Sequence, residues 1–314
     1  MITTETAFVL GAGASFPFGF PTGAELRRRL CSELRKDYPF FALLRQCGQG
    51  EERILSFREE FELSGIHSID SFIAFRPAYQ EIGELAIAAA LIPLEDPAKL
   101  RNVENRYGDG GWYQMLWNVM LAGVVVQQDL LLNRVSFVTF NYDRSLEQYL
   151  LSAISHTFDL DWDSAFRLLS QIPIQHVYGS LGNYAPDTGY RYGSQEGVQL
   201  TESILAARNS IKTVPAVRVP KDEQAANWLA KAQRVFVLGF GFDPTNCMRI
   251  DLPGACSQAP KKDNPRQVFA SAFNLTSAEI RWCEGNSCAP GQGGLIWTKG
   301  DCLNLLREWR DRLN

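Results

Sequence analysis

The stretch of sequence that decides the fold is AFVLGAGASFPFGFPTG, residues 7–23. Its first four residues, Ala7 to Leu10, form a short apolar run of β type that ends abruptly in the glycine turn Gly11 to Ser15. Thr22 and Glu25 then stand at the spacing of a helical capping box. Apolar residues recur after them at every fourth position, on one helical face: Leu26, Leu30 and Leu34. A strand, a glycine turn and a capped helix in this order are typical of the opening unit of a dinucleotide-binding fold.

Three further apolar runs of β type follow along the chain, and each ends in a polar or glycine-rich corner. They are Val135 to Phe140 before Asn141-Tyr142-Asp143, Ile172 to Tyr178 before Gly179-Ser180, and Arg234 to Leu238 before Gly239-Phe240-Gly241. Two more strands are predicted at Gln267 to Ala272 and Gly294 to Thr298. Continuous apolar strands separated by helices predict a parallel sheet that is buried on both faces. The predicted fold class is therefore α/β, a Rossmann-like doubly wound parallel sheet in a single domain spanning residues 1–314.

Between the first two of these strands, residues 40–130 show few β-type alternations and are predicted to form a helical insertion within the domain. The apolar segment from Trp112 to Val126 is predicted to be a helix, either in the core or on the face of an oligomer. Arg27 to Arg29 are predicted to lie on the solvated face of their helix, and Asp301 to cap the last helix. Residues 254–266 have the composition of a loop and are predicted to be the most mobile stretch.

The composition excludes several classes of protein. Of the 314 residues, 46% are apolar and 21% are charged, and 35 acidic residues outnumber 31 basic ones. Because no basic surplus is available for counterion release, nucleic acid is not expected as a direct partner. The longest uncharged apolar run, Leu85 to Leu94, is too short to span a membrane, and the amino terminus lacks a signal-peptide pattern. Seven cysteines without a CxxC pair suit a reducing compartment, so we expect a cytoplasmic location without membrane attachment.

The motifs that end the strands are expected to meet at one edge of the sheet, because ligands of parallel α/β sheets lie outside the carboxyl ends of the strands. Gly11 and Gly13 would let backbone N–H groups approach a pyrophosphate closely. Alternatively, the same two glycines are explained by a tight structural turn without a ligand. The third glycine of a GxGxxG motif is replaced by Phe16, which counts against an ordinary nicotinamide dehydrogenase.

Four motifs, in this order along the chain, resemble those of the sirtuins. They are GAGASFPFGFP at 11–21, TFNYD at 139–143, QHVYGS at 175–180 and LGFG at 238–241. With GFPTG at 19–23, SID at 68–70 and the helical insertion, the chain most resembles the sirtuin-like NAD-hydrolase domains of bacterial anti-phage defence systems. Deacetylating sirtuins carry a four-cysteine zinc ribbon after the third motif, but here no cysteine lies between Cys47 and Cys247. We therefore expect no zinc ribbon. Cys283 and Cys288 could bind a metal together with Cys247 or Cys256, but their spacing is poor, so isolated thiols and no metal site are expected.

The resemblance implies that NAD+ is the substrate and that the chain is an NAD+ glycohydrolase, which cleaves NAD+ to ADP-ribose and nicotinamide. The residues implied to bind the dinucleotide lie in the glycine-rich motifs: Gly11, Ala12, Gly13, Ser15, Pro21, Gly179, Gly239, Phe240 and Gly241. The residues implied to act in catalysis lie at the ends of two strands: Asn141, Asp143, His176 and Tyr178. One alternative is a module that binds NAD+ or ADP-ribose without turnover. A protein deacylase is a third function, which the missing ribbon disfavours.

Each residue of the catalytic set also has a structural interpretation. Asn141 is predicted to form hydrogen bonds with the ribose hydroxyls or to position a water molecule. Asp143 is predicted to orient Asn141 or to face the nicotinamide ring. Alternatively, both residues cap the following helix. His176 is predicted to be the base because its ordinary pKa is near neutral, with Asn141 as its partner. Tyr178 stands where sirtuins have histidine, but tyrosine titrates near about pH 10. Period-2 geometry predicts both side chains on one strand face; alternatively, His176 belongs to the core and the site only binds.

The resemblance also implies a biological role, as an effector that depletes NAD+ in phage-infected bacteria and causes abortive infection. Such an effector must be inactive in a healthy cell. We therefore expect control by homo-oligomerisation or by a separate regulatory protein, for which HerA-type ATPases and Argonaute-like proteins are the family precedents.

Overall fold

The computed structural model describes residues 1–101, 111–182, 192–193, 197–212, 220–257, 266–287 and 294–313. Its centre is a six-stranded, all-parallel sheet in the order β3-β2-β1-β4-β5-β6. The strands are β1 (Thr6–Leu10), β2 (Val135–Thr139), β3 (Ile174–His176), β4 (Arg234–Leu238), β5 (Gln267–Ser271) and β6 (Ile296–Thr298). The strand order reverses between β1 and β4, as in Rossmann folds, which places the ligand crevice of such sheets at the carboxyl ends of these two strands. The predicted α/β fold class is confirmed.

Sixteen helices are present in the described part of the chain. They are α1 (Ala12–Ser15), α2 (Gly23–Glu33), α3 (Pro39–Gln46), α4 (Glu51–Leu63), α5 (Ile69–Phe75), α6 (Gln80–Leu91), α7 (Pro97–Arg101), α8 (Trp112–Leu121), α9 (Ser145–Phe158), α10 (Trp162–Leu169), α11 (Gly197–Arg208), α12 (Glu223–Lys231), α13 (Pro244–Arg249), α14 (Leu252–Ser257), α15 (Ser277–Ser287) and α16 (Cys302–Glu308). Short 3-10 turns also occur, among them Phe16–Phe18 and Ile92–Leu94.

The two faces of the sheet carry side chains of different size. On one face, four phenylalanines from adjacent strands stack with ring centroids 4.8 to 5.4 Å apart: Phe137, Phe8, Phe236 and Phe269. On the other face the buried residues are valine and alanine, for example Val9, Val138 and Val237. Because both faces are buried, the strands carry continuous apolar runs and not an alternating pattern.

Each face packs against its own layer of helices. The phenylalanine face shares one core with residues of α2, α4, α6, α8, α9 and α16. The valine face packs against Leu229 of α12, Cys247 of α13, Leu252 of α14 and Cys283 of α15. The layers are therefore distributed on both sides of the sheet, as a doubly wound topology requires.

The helices α3 to α8 lie between β1 and β2, within the segment predicted to be a helical insertion. Helix α6 is buried along nearly its whole length, from Ile82 to Leu91, and its apolar residues belong to the same core as the phenylalanine face. Helix α8 ends at Leu121, so the helix predicted to reach Val126 is shorter. Trp112, Tyr113 and four further residues of α8 are buried, which favours the core interpretation of this helix over an oligomer face.

Several local predictions have definite outcomes. Thr22 and Glu25 form the capping box of α2, and Asp301 caps α16. The prediction that Arg27 to Arg29 form a solvated face is wrong for two of the three: Arg27 donates to the Ile66 and Glu62 carbonyls, and Arg29 donates to the Ala90 carbonyl. These arginines fasten α2 to the inserted helices because backbone carbonyls there need donors.

Other predicted boundaries change or lie outside the described residues. Strand β3 covers Ile174–His176 and not the longer run from 172 to 178. Residues 254–257, predicted as part of a loop, belong to α14, and 258–265 lie outside the described residues. Among the helices that the structure describes, none has the length and apolar character needed to cross a bilayer.

Candidate functional site

Asn141 joins the ends of β1 and β2. It lies two residues beyond β2, and its side-chain Nδ2 donates to the Gly11 carbonyl at 3.0 Å and to Ser15 Oγ at 2.9 Å. These two acceptors flank Gly13, so the glycine turn and the Asn-x-Asp motif are in direct contact. The prediction that the ends of these strands meet at one edge is confirmed.

The orientation of the Asn141 amide is determined by its partners. The Gly11 carbonyl can only accept a hydrogen bond, so the atom of Asn141 that faces it must be the NH2 group. Consequently Oδ1 points the other way, where it is buried and has no hydrogen-bond partner among the described residues. Asn141 is 8% exposed. A buried amide oxygen without a donor is costly, and it is a group that a ligand hydroxyl or a water molecule would satisfy.

The glycines of the first and fourth motifs are required by the close approach of two backbones. Gly11 N donates to the Leu238 carbonyl at 3.0 Å, and Gly13 N donates to the Gly239 carbonyl at 2.9 Å. A Cβ atom at Gly13 would lie 2.9 Å from Gly239 Cα, and one at Gly239, where φ is +57°, would lie 2.2 Å from Ala14 N. The two amides expected to approach a pyrophosphate are thus already used between β1 and β4, and the close approach of these two backbones accounts for both glycines.

Asp143 forms an Asx turn directly before α9, whose N-cap residue, Arg144, makes no side-chain capping bond. Its Oδ1 accepts from Ser145 N at 3.1 Å and also from the Ser145 hydroxyl. The capping predicted for Asp143 is thus found in this form, whereas the Asn141 side chain does not cap the helix and bonds Gly11 and Ser15. Burial raises the pKa of Asp143, while hydrogen bonds from Ser145 and Ser15 oppose that rise. Ser145 in turn bonds the Tyr113 hydroxyl at 2.7 Å. Asp143 is therefore held in a buried polar network beside Asn141.

Two residues that sequence reasoning missed contribute to the same region. The hydroxyl of Tyr192 is buried without a hydrogen-bond partner in the described part of the chain. Its pKa is raised by burial and further by the nearby Asp143 carboxyl. Next to Asp143 in sequence, Arg144 forms an ion pair with Glu95 at 3.0 Å, and both side chains are at most 1% exposed. This pair joins the start of α9 to the insertion.

His176 is held at both ring nitrogens by acceptors. Nδ1 contacts the Asn141 carbonyl at 2.8 Å, and Nε2 contacts Glu147 Oε1 at 2.6 Å. Both contacts are satisfied at once when each nitrogen carries a proton, which makes the ring an imidazolium paired with a carboxylate. Burial works to lower the pKa of His176, but the Glu147 carboxylate and the hydrogen bonds outweigh it, so the pKa is raised. In this state His176 positions Asn141 through its carbonyl group and has no free nitrogen with which to accept a proton.

Tyr178 lies two residues beyond the end of β3 and contacts α13. Its hydroxyl donates to Asn246 Oδ1 of α13 at 2.6 Å, and its ring contacts Phe140 edge-on at 5.8 Å. Burial raises the pKa of Tyr178 well above its ordinary value. Strand β3 ends at His176, so Tyr178 lies outside the strand on which the shared face with His176 was predicted. Val177 belongs to the core of the valine face and Tyr178 to the core of the phenylalanine face.

The remaining residues predicted to bind the dinucleotide have different environments. Phe240 is buried and packs between Phe140 and Phe242, with centroids 5.0 and 5.2 Å away. Gly179 has a φ of +71°, and a Cβ there would lie 1.9 Å from the Ser210 carbonyl oxygen. Ser15 is buried beside Asn141, Ala12 and Pro21 are half-buried, and Gly241 is exposed.

Two surface depressions lie away from this edge. One, of about 270 Å³, is at the amino ends of the strands, where Glu5, Arg134 and Pro173 line it. The other, of about 250 Å³, is between α7 and α9 beside Leu100 and His156. We place the candidate site at the carboxyl edge because the unsatisfied polar atoms Asn141 Oδ1 and Tyr192 Oη are found there.

The fold and the site together define a Rossmann-like α/β protein with a polar site centred on Asn141 at the carboxyl edge of its sheet. No family model matches the chain, and no curated protein matches it significantly. Within the described residues, no group of three or more His, Cys, Asp or Glu side chains is arranged to hold a metal ion.

Proposed function

We propose that this protein hydrolyses NAD+ to ADP-ribose and nicotinamide at the carboxyl edge of its sheet. The observation that carries the proposal is Asn141, whose Nδ2 is fixed by two acceptors while its buried Oδ1 has no partner. An amide oxygen held in this way is suited to accept a hydrogen bond from a ribose hydroxyl or from an attacking water. The order of the four strand-end motifs, which resembles that of the sirtuins, supports the choice of NAD+.

The reaction makes modest demands on the protein. When the bond between nicotinamide and ribose breaks, its electron pair neutralises the positive nicotinamide ring, and positive charge develops on the sugar. A water oxygen then bonds to the sugar carbon and releases a proton. Nicotinamide is neutral once it departs and therefore needs no proton. A fixed hydrogen-bond acceptor that orients the ribose or the water therefore contributes more to the rate than a strong base does.

In this proposal His176 is a positioning residue and not the base. Its imidazolium holds the Asn141 carbonyl on one side and the Glu147 carboxylate on the other, so it fixes the backbone from which the Asn141 side chain extends. In the same way, the hydrogen bond from Ser145 N to the Asp143 carboxyl fixes the backbone at the start of α9.

The same contacts favour a second candidate function, a module that binds NAD+ or ADP-ribose without turnover. Both nitrogens of His176 and the hydroxyl of Tyr178 already have protein partners, so neither predicted base is free. The two functions differ in one measurable property, the release of nicotinamide.

The proposed biological role is that of an anti-phage effector in the bacterial cytoplasm, controlled by self-assembly or by an ATPase or Argonaute-like partner. It rests on the family resemblance alone. The mass of the complex isolated from the native cell tests it, because a monomer that is fully active without a partner would contradict it.

The enzymatic proposal is tested by incubating the purified chain with NAD+ and measuring nicotinamide by chromatography. We expect Asn141→Ala to slow release by about a hundredfold or more, because the oriented acceptor is lost. The matched control is Asn133→Ala. Asn133 is 9% exposed, but its Oδ1 accepts from Ile2 N and its Nδ2 donates to two carbonyls, so its loss should lower stability and leave the rate per folded molecule unchanged.

Three outcomes are informative. Release by the unaltered chain that survives Asn141→Ala contradicts the assignment of Asn141. Calorimetric binding of NAD+ without release favours the binding module. Release that requires an acyl-lysine peptide would identify a deacylase.

A further inference from the structure

Arg249, the last residue of α13, is a buried cation with no ion-pair partner among the described residues. It is 7% exposed, and its Nε and Nη1 atoms are buried with no hydrogen-bond partner among the described residues. Only Nη2 is engaged, by a long contact of 3.3 Å to the Val177 carbonyl. Three or more of its five N–H donors are therefore unsatisfied.

The other buried arginine of the described chain shows what is missing. Arg144 is 1% exposed and lies 3.0 Å from the carboxylate of Glu95. Among the residues that the structure describes, no carboxylate forms such an ion pair with Arg249. A buried charge that has no ion-pair partner and few hydrogen bonds is unfavourable, so an anion that accepted from Nε and Nη1 would be stabilised at Arg249.

The carboxyl groups near Arg249 have other partners. Asp70 accepts the hydroxyl of Tyr142, and burial raises its pKa although the Arg249 charge opposes that rise. Asp243 accepts Asn246 N at 3.2 Å and so caps α13. Neither forms an ion pair with the guanidinium, so a bound ligand would have to supply the counterion of Arg249.

The guanidinium is held in a fixed plane at the same edge of the sheet as Asn141. Its Cζ lies 4.7 Å from the centroid of the Tyr178 ring, and stacking on an aromatic ring orients the N–H groups. The Tyr178 ring contacts Phe140, the residue directly before Asn141. A planar fork of this kind matches the oxygens of a phosphate group.

We propose that Arg249 forms an anion subsite that binds a phosphate group through Nε and Nη1, beside the Asn141 site. The phosphate has two sources to consider, a bound dinucleotide such as NAD+ or ADP-ribose, or a separate phosphorylated small molecule. Only the first source rests on the proposed function.

The direct test measures the rise in melting temperature that inorganic pyrophosphate causes, at constant ionic strength. We expect a rise for the unaltered chain and none for Arg249→Met, which keeps the aliphatic stem and removes the charge. Without anion the Met variant should be at least as stable as the unaltered chain, because an unpaired charge has been removed. Arg249→Lys keeps a charge but loses the fork, so its affinity for pyrophosphate should fall about tenfold.

The matched control is Arg27→Met. Arg27 also stacks on an aromatic ring, with Cζ 5.4 Å from the Phe61 centroid, and it donates to backbone carbonyls. It lies in α2, outside the site, so pyrophosphate should still stabilise this variant. If Arg249→Met binds pyrophosphate within twofold of the unaltered chain, or if pyrophosphate stabilises neither, the subsite is refuted.

Calorimetry with ADP-ribose separates the two sources. An affinity at least tenfold weaker in Arg249→Met assigns the subsite to the dinucleotide. An unchanged ADP-ribose affinity, with pyrophosphate binding lost, assigns it to a separate phosphorylated molecule. Pyrophosphate binding through Arg249 in a chain that releases no nicotinamide would support the subsite and contradict the proposed hydrolysis, so the two proposals fail separately.

Discussion

Replacing His176 by alanine should destabilise the fold by about 3 to 4 kcal/mol at pH 7, because it leaves a buried carboxylate without its cation. The substitution removes hydrogen bonds of 2.8 Å to the Asn141 carbonyl and 2.6 Å to Glu147 Oε1. Glu147 is only 13% exposed, and losing one partner of a buried pair costs about 3 to 5 kcal/mol. The loss has an upper limit, since Glu147 can instead become protonated, which at pH 7 costs about 4 kcal/mol.

The reverse substitution, Glu147→Gln, should be milder, about 1 to 2 kcal/mol, because the imidazole of His176 can lose its proton at little cost near neutral pH. In the double variant His176→Ala/Glu147→Gln no buried charge is left. Its destabilisation should be smaller than the sum of the single effects by about 2 kcal/mol, which is the coupling expected of residues in direct contact.

The pair also predicts a particular dependence on pH. The folded-state pKa of His176 is raised above 6.5, so its contribution is complete below pH 6.5 and is lost as the pH rises through the raised value. The pKa of Glu147 is lowered from 4.5; although burial raises it, the His176 charge and hydrogen bonds outweigh that effect. Its contribution is complete above pH 4.5 and is lost as the pH falls through the lowered value. The contribution of the pair to the stability of the unaltered chain is therefore complete between pH 4.5 and 6.5, and the stability difference from His176→Ala should fall as the pH rises above this window.

Urea unfolding followed by tryptophan fluorescence, at intervals from about pH 5 to 9, measures these differences. The reasoning is refuted if His176→Ala lies within about 1 kcal/mol of the unaltered chain near pH 6, since breaking a buried pair costs more than that. It is also refuted if the difference is constant up to pH 9, because the imidazolium would then not be the stabilising species.

Two further predictions concern residues that hold the elements around the site in place. Gly239→Ala should destabilise the fold by more than about 3 kcal/mol or prevent folding, because the new Cβ would lie 2.2 Å from Ala14 N at a φ of +57°. Gly241→Ala is the control. Its Cβ would have no atom within 4 Å, so this substitution should change the stability by less than about 1 kcal/mol. Equal melting temperatures for the two variants would contradict the close approach of β1 and β4. Glu95→Gln should cost about 3 to 5 kcal/mol in urea unfolding, since the carboxylate facing buried Arg144 is neutralised; a loss below about 1 kcal/mol would show that this charge is not needed there.

Local patterns in the sequence determined the elements of the fold. The strand predicted at Ala7 to Leu10 appears as β1, one residue longer, and the Thr22–Glu25 capping box appears where it was predicted, because caps depend on atoms within three or four residues of each other. The predicted glycine turn differs, since Ala12–Ser15 form the short helix α1. The continuous apolar runs also indicated a parallel sheet, since only strands buried on both faces lack polar alternation. The adjacency of Gly11 and Asn141 followed from the rule that strand ends share one edge.

Only the tertiary structure decided what the site residues contact. The order β3-β2-β1-β4-β5-β6 brings Gly239 against Gly13, and no local pattern specifies which strands become neighbours. His176 was predicted to be a base from its ordinary pKa, but its partner Glu147 lies 29 residues away along the chain and raises the pKa of the ring by stabilising its charged form. Tyr178 was placed by strand alternation, yet β3 ends before it and its ring packs with Arg249. Periodicity gives the face of a residue within an element, whereas charge partners depend on packing between elements that are distant in sequence.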